Sequence, residues 1–102
     1  MTKPMTDKAE VALEYPDKFY SGTFESSSRF EANFDSTGVA LLLERTGSED
    51  VRKSVHIHLH YGLLADAFER LAATASGIPR DDVAHEHLVR AIGMLAEAIQ
   101  SR

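Results

Sequence analysis

Three histidines alternate along one short stretch of the chain: His56, His58 and His60. Imidazole is a common zinc ligand and exchanges protons near neutral pH. If the stretch is a β-strand, alternation sends all three side chains to one face. Alternate residues of a strand lie about 6.6–6.8 Å apart, so two neighbouring histidines can converge on one ion. His56 and His60 would stand roughly 13 Å apart, too far to share zinc through bonds of about 2 Å. One ion therefore takes two of the three and needs a further ligand from another element. The strand alignment set out below offers Glu44 beside His56 and Glu31 near His58. The metal reading is thus a zinc site of His56, His58 and Glu44, with His60 as the other possible partner of His58 and water at the open position. The competing reading is a polar sheet face with three half-exposed histidines, at or near an interface.

Other candidates for chemistry are weaker. His85 and His87 flank Glu86 in a helical stretch, and residues two apart on a helix point in different directions. His85 reads as a residue at the edge of an apolar stripe and His87 as a surface one. The chain has no cysteine, which excludes disulfides, thiol catalysis and cysteine-ligated zinc. No strand–turn–helix nucleophile elbow accompanies the serines. Gly22, Gly38, Gly47 and Gly62 are dispersed at turns or breaks and form no phosphate-binding loop.

The elements that must position these residues follow from periodicity. In Ala9–Tyr15, Val11, Leu13 and Tyr15 alternate as in a strand that stops at Pro16. Asp7 followed by Glu10 competes with this, because it resembles the capping box of a helix. Residues 19–25 read as extended, with a bulge or bend at Gly22. Phe30, Ala32 and Phe34 alternate with Arg29, Glu31 and Asn33, and the Asp35-Ser36-Thr37-Gly38 turn follows. Residues 39–44 and 55–61 are the next strands, joined across a turn signal at 46–50. After Gly62 the period becomes helical. Leu64, Ala67, Phe68, Leu71 and Ala75 form one stripe, with Gly77 as C-cap and Pro79 beyond it. Asp81 and Asp82 open a second helix whose stripe is Leu88, Ile92, Leu95 and Ile99.

Alignment tests the sheet. A two-residue turn at Ser36 and Thr37 sets Phe34 opposite Val39, Ala32 opposite Leu41 and Phe30 opposite Leu43. Placing Leu43 opposite Ile57 then sets Leu41 against Leu59 and Val39 against Tyr61. One face becomes wholly apolar. The other carries a row of Arg29, Glu44 and His56, a row of Glu31, Leu42 and His58, and a row of Asn33, Ala40 and His60. A one-residue slip would mix the faces.

These readings converge on an α+β fold: an antiparallel β-meander of three to five strands, followed by a C-terminal two-helix hairpin packed on one face. The 102 residues fit a single domain, with 1–7 flexible, 9–61 mainly strands and 63–101 two helices. Net charge is −5, and Arg45, Arg52 and Lys53 are interleaved with Glu44, Glu49 and Asp50, so no nucleic-acid partner is expected. The longest apolar run, residues 39–43, is far short of the ~20 residues of a membrane helix. The first sixteen residues have no continuous apolar segment, and the expected location is cytoplasmic. The function expected is a small non-catalytic interaction or regulatory module without a cofactor, homodimeric or bound to a protein partner. The alternative is a zinc-binding protein using the sheet histidines, up to a small metal-dependent enzyme.

Overall fold

The computed structural model describes residues 2–25, 27–46, 52–80 and 83–102. Among the described residues, six strands precede two α-helices: β1 (Lys3–Pro4), β2 (Ala9–Tyr15), β3 (Lys18–Phe24), β4 (Ser28–Phe34), β5 (Gly38–Thr46), β6 (Arg52–His60), α1 (Tyr61–Ala73) and α2 (Val83–Gln100). The class is α+β, with an antiparallel sheet of order β1-β4-β5-β6 and a separate β2-β3 hairpin. The chain divides into two compact units, Met1–Asp66 and Ala67–Arg102.

Within the first unit, the alternation of Val11, Leu13 and Tyr15 prevails over the helix-like signal at Asp7. The Asp7 carboxylate accepts from the backbone N–H of Lys8, its immediate neighbour, at 2.8 Å and caps no helix. β2 and β3 pair residue for residue from Ala9 opposite Phe24 to Tyr15 opposite Lys18. Gly22 stands opposite Val11 in that unbroken ladder, so the bulge expected there does not form. The terminal stretch expected to be flexible contains β1, which pairs with β4 through Lys3 opposite Phe30 and Pro4 opposite Arg29.

Among the described residues, the most deeply buried side chains are Phe24, at 3% exposure, and Ser28, at 1%. Burying a serine requires satisfying its hydroxyl. Ser28 Oγ accepts the backbone N–H of Glu25 at 3.0 Å, while the Ser28 N–H donates to the Glu25 carbonyl at 2.6 Å. The guanidinium of Arg45 donates to the Thr23 carbonyl at 3.1 Å and links the hairpin to β5.

The β4–β5 register is the one the turn dictates: Phe34 faces Val39, Ala32 faces Leu41 and Phe30 faces Leu43. The β5–β6 register differs from expectation by two residues. Leu43 faces Val55, Leu41 faces Ile57 and Val39 faces Leu59. An even shift leaves every side chain on its expected face but changes its neighbours. Tyr61 leaves the strand and starts α1, where its N–H donates to the Thr37 carbonyl at 3.3 Å. The turn signal at 46–50 lies mostly outside the described residues, as do Asp81 and Asp82.

Gly38 explains the tight β5–β6 approach. A Cβ at this position would stand 2.0 Å from the Leu59 carbonyl oxygen and 2.8 Å from His60 Cα. Those are backbone atoms, which cannot turn aside. Gly77 was expected to cap α1, but α1 ends at Ala73 and Gly77 closes a separate 3-10 helix, Ala75–Gly77. Just past the end of α1, the Thr74 hydroxyl donates to the Arg70 and Leu71 carbonyls at 3.3 and 3.2 Å.

Two glycine substitutions separate these effects. Gly38→Ala is expected to destabilise the chain by several kcal/mol, because the β5–β6 backbones must separate. Gly62→Ala meets nothing within 4 Å and is expected to stabilise α1; by helix propensity the gain is about 0.5–1 kcal/mol. Urea denaturation of both variants checks this, and equal effects would refute the close approach at Gly38.

Candidate functional site

A dense polar constellation is built on the β4–β5 turn. Asp35 occupies its first position, where a short carboxylate can reach the backbone two and three residues ahead. Asp35 Oδ1 accepts the N–H of Thr37 at 2.9 Å, the N–H of Gly38 at 2.9 Å and the Thr37 hydroxyl at 3.1 Å. Its other oxygen, Oδ2, lies 3.0 Å from Nε2 of His58 on β6. The Asp35 backbone carbonyl accepts the phenolic hydroxyl of Tyr61 at the strand–helix junction. One residue thus ties the β4–β5 turn to the end of β6 and the first residue of α1.

The electrostatics follow from those bonds. The N–H of Thr37 is the main cause of a carboxyl pKa lowered to about 2, helped by His58, Gly38 and the Thr37 hydroxyl against a desolvation penalty. An ionised carboxylate only accepts hydrogen bonds, so His58 Nε2 is the donor. That fixes the imidazole: with Nε2–H committed to Asp35, and the Thr37 hydroxyl oxygen 3.3 Å away, Nδ1 is the other heteroatom of the ring. His60 stands edge-on to His58, with ring centroids 5.0 Å apart and planes at 87°. Phe34 lies 6.3 Å from the Tyr61 ring and supports the junction.

The structure places the four expected metal ligands as follows. His56, His58 and His60 share the polar face of β6, and His58 and His60 are in ring contact. Glu44 faces Ser54, not His56, because of the two-residue register shift. His56 faces Leu42 across the ladder, with Glu31 opposite Leu42 on the far strand. Among the described residues, no group of three or more His, Asp or Glu is placed to hold a metal ion. Glu31, Asn33, Ala40, Leu42, His56 and His58 border an open hollow of about 370 Å³ on this face. Asn33 donates to Glu31 within it at 2.6 Å. His85 is half-buried and His87 exposed, in line with their positions on α2.

Sequence reasoning missed Asp35, Thr37 and Tyr61 as members of this constellation. Asp35 was legible as a turn former, but its second oxygen finds His58 only in the observed β5–β6 register. No protein-family model matches the chain, and no curated protein or solved structure matches it either. Among the described residues, no helix is long and apolar enough to cross a membrane. The mixed-charge group of Arg45, Arg52, Lys53, Glu44, Glu49 and Asp50 lies partly outside the described residues.

The lowered Asp35 pKa has a defined pH signature. Folding favours the ionised form, so its contribution is full above the ordinary value of 3.8 and fades as pH falls toward about 2. Asp35→Asn keeps an oxygen for the turn and removes the charge. The variant is expected to melt below the wild type at pH 7, with the gap closing between pH 3.8 and about 2. A gap independent of pH in melting curves would show that the charge contributes nothing.

Proposed function

We propose that this chain is a small non-catalytic interaction or regulatory module that works as a homodimer. The observation supporting this is the apolar stripe of α2, formed by Leu88, Ile92, Leu95 and Ile99. No side chain of α2 is buried, and Ile92 and Ile99 are 55% and 54% exposed. Leu95 is half-buried. An eighteen-residue helix draws little stability from propensity alone and needs its apolar face covered. Leaving it open costs about 25 cal/mol for each Å² of apolar surface.

A second copy fits this stripe by its own spacing. The intervals 88, 92, 95 and 99 read the same from either end. In an antiparallel pair centred between Gly93 and Met94, Leu88 of one copy comes level with Ile99 of the other, and Ile92 with Leu95. A two-fold axis requires such a self-complementary patch. Ala84 and Ala91 flank the stripe and permit close helix approach. The hairpin adds exposed Leu13, Tyr15, Phe19 and Tyr20 to the surface open for contact.

Analytical ultracentrifugation is expected to give twice the 11.3 kDa chain mass, and the melting temperature should rise with protein concentration. Ile92→Glu should shift the mass toward monomer. Met94→Glu lies on the far side of α2, at a site 66% exposed, and should leave the mass unchanged. A wild type that stays monomeric at high concentration while melting cooperatively would overturn the proposal.

A further inference from the structure

We propose that His58 and His60 form a two-histidine site for a divalent transition metal such as zinc, with Asp35 as the carboxylate that orients His58. This site is independent of the dimer and lies wholly within the first unit. Three observations support it.

The first is ring separation. A zinc–nitrogen bond of about 2.0–2.1 Å puts an imidazole centroid about 3.2 Å from the ion, and two rings at the tetrahedral angle then have centroids about 5.2 Å apart. His58 and His60 stand 5.0 Å apart. The centroid spacing of these two alternate strand histidines is therefore compatible with a shared ion.

The second is the orienting carboxylate. A metal-bound histidine commonly donates its other ring N–H to a carboxylate, which sets the tautomer and raises the basicity of the ligating nitrogen. His58 Nε2 stands 3.0 Å from Asp35 Oδ2. Nδ1 is therefore the ligating atom at His58. Three hydrogen bonds to the other Asp35 oxygen hold the carboxylate in place.

The third is access. His58 and Asp35 side chains are 37% and 45% exposed, so an ion can enter without unfolding and keep water in its remaining positions. With two protein ligands, the site is an exchangeable one rather than a closed structural centre. His56 and Glu44 are not part of it. Glu44 lies across from Ser54, and the Asp35 carboxylate is bonded to His58.

Isothermal titration of the full chain with zinc chloride tests the site. Wild type is expected to bind zinc with micromolar to submillimolar affinity. His58→Ala and His60→Ala should each abolish that binding, while His56→Ala and Glu44→Ala should bind as wild type does. Asp35→Asn should weaken binding by about 10–100-fold. Circular dichroism identifies any variant that fails to fold. A second measurement on the wild type needs no variant: zinc should shift the NMR resonance of His58 Nδ1 while Nε2 stays protonated. Absence of binding at millimolar zinc, equal loss in His56→Ala, or coordination through His58 Nε2 would each overturn the assignment.

Discussion

The Asp35 carboxylate anchors both the β4–β5 turn and His58 on β6. The tight turn between β4 and β5 leaves backbone N–H groups at Thr37 and Gly38 that need acceptors, and one carboxylate oxygen serves both. Because that oxygen is committed to the turn, the other is free to reach across to His58. The backbone carbonyl of the same residue receives the Tyr61 hydroxyl. Turn closure, orientation of a histidine and the position of the strand–helix junction therefore share one anchor. Such coupling works only where β6 runs close to the turn, and Gly38 permits that approach because it has no side chain.

The two faces of the sheet divide the work. One carries the apolar residues Phe30, Phe34, Val39, Leu41, Leu43, Val55, Ile57 and Leu59. The other carries the histidines, with His56, His58, Glu31 and Asn33 around an open hollow. Among the described residues the buried side chains are Phe24 and Ser28, at the end of β3 and the start of β4. Apolar side chains outside that region, above all the symmetric stripe of α2, gain stability only when something covers them. The proposed dimer and the proposed metal site draw on different chemistry at different places, so either can stand without the other.

Much of the fold was legible from residue order. Alternation marked β4, β5 and β6, whereas Ala9–Tyr15 carried both a strand and a helix signal and only the structure shows it as a strand. The Asp35 to Gly38 turn determined the β4–β5 pairing without error, because a short turn leaves the strands no freedom to slide. The β5–β6 pairing had no such constraint. Its connection is longer, and a slip of two residues keeps every side chain on its own face, so hydrophobic patterning cannot detect it. The histidine face was therefore readable, while the residues beside each histidine were not.

By itself, the sequence determined the α+β class, the alternation of the three histidines on one strand face and the two helical stripes. Each is a local property, set by side-chain period and turn chemistry within a few residues. Only the tertiary structure decided that Asp35 grips His58, that Glu44 falls opposite Ser54 and that Tyr61 closes onto the turn. These contacts join residues 10 to 26 positions apart, as 44 to 54 and 35 to 61 illustrate. They depend on the backbone clearance at Gly38, and that clearance exists only once β5 and β6 have met.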